Sequence, residues 1–152
     1  MYKRAVFEGV LKRFMEPRRF IQVLYGPRQS GKTTLAKQAA KEVNMKAHYA
    51  ASDEPDLKGR AWIEEQWQTA RNLAAGNAAL LVVDEIQKIP GWSETVKRLW
   101  DEDTAAKINL HVMLLGSSPL LINKGLGDSL AGRYETINIT HWTYAEMSGA
   151  FG

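Results

Sequence analysis

Gly26-Pro27-Arg28-Gln29-Ser30-Gly31-Lys32-Thr33 matches the pattern G-x-x-x-x-G-K-[ST] without a mismatch. Its glycines let the main chain fold tightly round an anion, so that successive N–H groups point inward as a nest. Where such a loop opens a helix, unpaired amides and the helix dipole add to the pull on negative charge. The Lys32 ammonium would then reach the β- and γ-phosphates of a nucleotide, and the Thr33 hydroxyl would ligate Mg2+. The alternative is a Gly-rich turn carrying an exposed lysine. A preceding strand and a following helix, both expected here, argue for the cradle.

Other residues complete this chemistry. Leu80-Leu81-Val82-Val83-Asp84-Glu85 is an apolar strand ending in two carboxylates. On an extended strand these alternate sides. Asp84 is therefore placed to hold the metal through water, and Glu85 to act as general base on the lytic water or to orient it. Alone, such a strand end is more often simply solvated; downstream of a complete cradle it gains weight. Val112-Met113-Leu114-Leu115-Gly116-Ser117-Ser118 ends in hydroxyls. Ser117 or Ser118 would bond the γ-phosphate or the attacking water, or else begin a turn before Pro119. Arg133 closes a stretch from Asn123 to Gly132 that reads as a mobile loop, with Gly125 and Gly127 inside it. Its guanidinium either stabilises transition-state charge, in cis or from a neighbouring subunit, or forms a surface ion pair.

These residues need a frame. Val6, Val10, Leu11 and Phe14 fall at helical spacing and predict an amphipathic helix ending near Pro17. Strands are expected over 20–25, 46–50, 78–83, 108–115 and 134–139. Helices are expected over 31–43 and around Trp62, Ile63, Trp67, Ala70 and Leu73. A further helix carries Val96, Leu99 and Trp100, with Ser93 as its cap. The continuously apolar Ala78 to Val83 suits a strand buried on both faces of a parallel sheet. Strands alternating with helices predict a three-layer α/β/α domain.

Composition sets limits. The 152 residues suffice for one domain, and the expectation is a single unit over 1–152, with 1–19 as its N-terminal helix. The absence of cysteine excludes disulfides, thiol nucleophiles and Cys-based zinc sites, and favours a reducing compartment, the cytoplasm. The longest apolar runs are too short to cross a bilayer, so no membrane partner is expected. Net charge is +3, divided as +8 over residues 1–50 and −5 over 51–152. A basic front half would meet nucleic acid or other phosphates, or would form solvated helix faces around a nucleotide site.

Several features exclude other chemistries. His48, His111 and His141 lack metal-ligand spacing. Gly116-Ser117-Ser118-Pro119-Leu120 lacks the last glycine of a nucleophile elbow. Leu130 stands where a dinucleotide fingerprint starting at Gly125 needs its third glycine. Asp84-Glu85-Ile86-Gln87 lacks the glycine of the GTPase D-x-x-G, and Asn123-Lys124-Gly125-Leu126 lacks the aspartate of N-K-x-D. Guanine specificity is not expected.

In order, Gly26 to Leu35, Asp84-Glu85-Ile86-Gln87, Gly116-Ser117-Ser118 and Ser129-Leu130-Ala131-Gly132-Arg133 resemble the AAA-type ATPases of bacteria and archaea, near the STAND and Orc-like branches. The resemblance covers about residues 4–147. It implies a P-loop NTPase core of the additional-strand type, with a mainly parallel five-stranded sheet in the order 5-1-4-3-2. It implies nucleotide contacts from Gly26 through Thr34, Mg2+ on Thr33 and Asp84, Glu85 as base, Ser117 as sensor and Arg133 as a finger. The function it implies is ATP hydrolysis coupled to conformational change, with self-association. Similar proteins usually continue, after a segment like Thr143 to Met147, into a lid or DNA-binding-like domain, which is expected to be missing here. The alternatives are a P-loop kinase of a small molecule, disfavoured by a late loop with Arg133 alone, and a non-hydrolysing ATP-dependent switch.

Overall fold

Almost continuously apolar central strands require cover on both sides, and the computed structural model supplies it. It describes residues 2–26, 31–52, 59–117, 123–124, 126–127 and 130–138. The elements, in chain order, are α1 (Tyr2–Met15), β1 (Ile21–Tyr25), α2 (Lys32–Glu42), β2 (Lys46–Ala51), α3 (Arg60–Leu73), β3 (Ala79–Asp84), a short 3-10 turn (Ile86–Lys88), α4 (Trp92–Ala106), β4 (Leu110–Gly116) and β5 (Tyr134–Asn138). Each expected strand and helix is present, with ends differing by a residue or two. The expectation for 139 lies outside the described residues.

All strand pairings are parallel, in the order β2-β3-β4-β1-β5. Read from the other edge this is 5-1-4-3-2, as expected. Parallel neighbours need crossover helices, and those helices divide between the two faces. Leu81, Val83, Val112, Leu114, Ile21 and Val23 pack with Ile63 and Trp67 of α3 and with Val96, Leu99 and Trp100 of α4. Leu80, Val82, Met113, Leu115 and Leu24 face Val10 and Phe14 of α1 and Leu35, Ala36 and Ala39 of α2. The period of two along each strand thus feeds two cores.

Two polar clusters, one around buried Asp103 and one around half-buried Arg18, join the elements. Asp103 on α4 is fully buried. It accepts from Trp67 Nε1 at 2.8 Å and Arg71 Nε at 2.7 Å, which bolts α3 to α4. Arg18, in the link between α1 and β1, donates to Leu110 O at 2.8 Å, Trp100 O at 3.0 Å and Thr104 Oγ1 at 2.8 Å. Its guanidinium also lies 3.4 Å from the Trp100 ring centroid. Burial pushes the Arg18 pKa below its ordinary value, while Asp103 and Asp101 oppose the shift.

Two local expectations need correction. Ser93 does not cap α4: Gly91 does, in the left-handed region at φ 69°, and Ser93 is buried inside the first turn. Glycine reaches that conformation without strain, so the helix begins two residues earlier than a Ser93 cap would set it. The stretch from Asn123 to Gly132 is not wholly loop. Residues 123–124 and 126–127 are helical, and Leu126 and Leu130 are buried in the α3/α4 core.

Candidate nucleotide site

The β4 strand lies between β1 and β3, so the carboxyl ends of these strands form a row roughly 10 Å wide, given the ~4.8 Å spacing of neighbouring strands. The cradle begins at the end of β1, Ser117 follows β4, and the acidic pair ends β3. Ligands of open α/β sheets bind beyond this edge.

Gly26 donates its N–H to Gly116 O at 3.1 Å, which ties the start of the cradle to the end of β4. Pro27, Arg28, Gln29 and Ser30 lie outside the described residues. Gly31 takes φ 85° at the start of α2, a backbone state that glycine alone enters freely. No side chain caps α2 there. The first-turn amides, with Thr33 and Thr34 among them, therefore present donors and the positive helix end toward the loop. Lys32 is 6% exposed, and its Nζ donates to Gly26 O at 3.0 Å, so the ammonium bridges the two ends of the loop.

Thr33 Oγ1 donates to Asp84 Oδ2 at 3.3 Å. This contact joins residues far apart in sequence and sets two hard oxygen donors side by side. Such a pair fits Mg2+, which takes one or two protein oxygens and completes its shell with phosphate and water. Among the described residues no group of three or more His, Asp or Glu forms an all-protein cage.

Glu85 departs from the simple reading of the sequence. The strand ends at Asp84, and Glu85 adopts φ 57°, ψ 41°. The two carboxylates therefore diverge through a left-handed turn rather than through strand pleating. Tertiary contacts hold that turn. Glu85 N–H donates to Leu115 O at 2.8 Å, Ser52 N–H donates to Asp84 O at 3.1 Å, and the Ser52 hydroxyl sits against the carbonyls of both Asp84 and Glu85. The Glu85 side chain is buried, and its Oε2 accepts from Ser117 Oγ at 2.9 Å and from Gln87 Nε2. Ser117 thus meets Glu85 directly; Ser118 lies outside the described residues.

Arg133 does not join this constellation in its own chain. It stands just before β5, and its carbonyl accepts from Ile21 N–H at the beginning of β1. That is the opposite edge of the sheet, roughly 15 Å from the cradle at ~3.3 Å of rise per residue. Its guanidinium instead grips Asp101 through Nε at 2.8 Å and Nη2 at 3.1 Å. This hydrogen bonding raises the Arg133 pKa above its ordinary value. Of the two expectations for Arg133, the ion pair is the one seen within the chain, and it ties the start of β5 to α4.

Sequence reasoning missed Ser52 and Gln87 as parts of the site. Ser52 reads as a turn former before Pro55, and Gln87, the last residue of the resembling stretch Asp84-Glu85-Ile86-Gln87, has no role implied for it there. The position of Ser52 at the end of β2, the strand beside β3, was the available signal.

Strand order, cradle ends and the diverging acidic pair define a P-loop NTPase fold with an additional strand between β1 and β3. The family model described as AAA domain matches residues 18–148. The chain belongs to that family, an AAA-type family of P-loop ATPase domains. None of the curated proteins matches it.

Proposed function

We propose that the chain hydrolyses ATP to ADP and phosphate with Mg2+ and couples the reaction to conformational change. The observation that carries this reading is the convergence of Lys32, the Thr33–Asp84 pair and the hydrogen-bonded Glu85 at one sheet edge. Residues Gly26 to Thr34 would wrap the triphosphate with main-chain amides, and Lys32 would neutralise the β- and γ-phosphates. Mg2+, when bound to Thr33 and Asp84, would offset the remaining phosphate charge. Glu85 would take or orient a proton of the attacking water. The water oxygen bonds to the γ-phosphorus, the bond to the β–γ bridging oxygen breaks, and ADP leaves with those electrons. Ser117 steadies the same carboxylate.

Phosphate release from ATP and Mg2+ without a second substrate tests this reading against a kinase, which would consume nucleotide only with an acceptor. Glu85→Gln should keep ATP affinity and reduce turnover by roughly 10²–10⁴-fold, the usual contribution of a positioned base. Turnover equal to wild type in that variant would remove Glu85 from the reaction. Bound ATP that persists intact in single turnover would favour the switch.

Self-association and a polyanionic partner such as nucleic acid extend the same proposal. Helices α1 and α2, which share a face, together carry a net +5, whereas α4 on the other face carries −2. Opposite charge on the two faces supports head-to-tail contact or docking of phosphates on the basic side. The compartment expected for such a cysteine-free chain is the cytoplasm.

A further inference from the structure

Gln87 has no part in the reaction as written above, yet it touches the carboxylate on which that reaction depends. It lies in the 3-10 turn just beyond Glu85. Its Nε2 donates to Glu85 Oε2, the oxygen that also accepts from Ser117 Oγ at 2.9 Å. Charge dictates the amide orientation, since the oxygen edge turned inward would set acceptor against acceptor. The outward oxygen is not satisfied in return: Gln87 Oε1 is buried without a hydrogen-bond partner among the described residues. A buried acceptor left without a partner is destabilising and calls for an explanation, a catalytic role being one of those that apply.

We propose that Gln87 is a positioning residue which, with Ser117, fixes the Glu85 carboxylate for activation of the attacking water. The inference rests on the reading of Glu85 as general base. Main-chain contacts to Leu115 and Ser52 hold the Glu85 backbone at φ 57°, but they leave its side-chain torsions to be set by something else. Gln87 approaches from the turn that follows Glu85, and Ser117 from the end of β4. Two donors arriving from separate elements select one rotamer and one carboxylate plane. Ground-state orientation of this kind is worth large factors in rate, because a displaced base no longer meets its proton.

The test is a double-variant cycle of Gln87→Met and Glu85→Gln, read as ATPase kcat together with affinity for ATP and Mg2+. Methionine keeps the length of the side chain and removes the donor. Gln87→Met is expected to lower kcat on the order of 10- to 100-fold, leave ATP affinity within about 2-fold, and add no loss in the Glu85→Gln background. A merely structural role would lower both backgrounds alike, so additive losses overturn the proposal. Unchanged or faster turnover in Gln87→Met also overturns it, the faster case marking a restraint on the base. Gln87→Ala gives the same reading should the methionine variant not fold. If Glu85→Gln itself turns over like wild type, the general-base reading has failed. If Glu85→Gln is impaired while Gln87→Met is not, only the positioning role has failed.

Discussion

Lys32 shows how much one residue type at one spacing can specify. Its ammonium is buried yet bonded to the carbonyl of Gly26, so it is held near the loop before any ligand arrives. Charge-assisted contacts of this kind are worth ~1.5–3 kcal/mol each. Lys32→Ala should therefore weaken binding of a non-hydrolysable ATP analogue by on the order of 10- to 100-fold, measured calorimetrically. Unaltered affinity would dismiss the cradle. The meeting of Lys32 with Gly26 and of Thr33 with Asp84 was legible because the expected strands and the loop spacing bring those residues to one edge. The aim of Glu85 was not. Its left-handed turn depends on Leu115 and Ser52, which are distant in sequence, and no local pattern announces φ 57° at a glutamate.

At the scale of elements, the ends of helices carry what the sequence obscures. The α4 helix terminates at Lys107 with φ 59°, its N–H donating to Thr104 O at 3.4 Å. A left-handed conformation costs an ordinary L residue ~1–2 kcal/mol relative to glycine. Lys107→Gly should stabilise the domain by about 0.5–1 kcal/mol, net of the added unfolded-state entropy. Urea denaturation at constant m would detect it, and a loss of stability would mean that the Lys107 side chain packs usefully. Ser93 and Gly91 give the complementary lesson. Both are plausible starts for α4, and packing of Trp92 and Ser93 into the interior decides for glycine.

Across the whole molecule, the nucleotide edge and the opposite edge of the sheet are held by different devices. Arg18 closes the far edge by joining the α1–β1 link to the start of β4 and the end of α4. Its removal leaves the Leu110 and Trp100 carbonyls without that donor and the Trp100 face without its cation. Arg18→Ala should cost ~1–3 kcal/mol of stability. Arg18→Lys should recover only part, since an ammonium lacks the planar fork. Thermal and urea unfolding measure the loss, and ATP affinity at a temperature where the variant is folded should stay as in wild type. A large fall in affinity would mean that the two edges are coupled through the sheet.

By itself the sequence determined the layers, the strand pattern and which residues are candidates for a phosphate and metal site. Short apolar runs, helical spacing and the short motifs express local backbone and side-chain preferences. Only tertiary structure decided that Arg133 faces Asp101 at the remote edge, that Ser52 braces the acidic turn, and that Gln87 and Ser117 share one oxygen of Glu85. Each of those contacts depends on which strands become neighbours and in what register. That choice comes from burying two faces of one sheet at once, a property of the packed chain that no single segment contains.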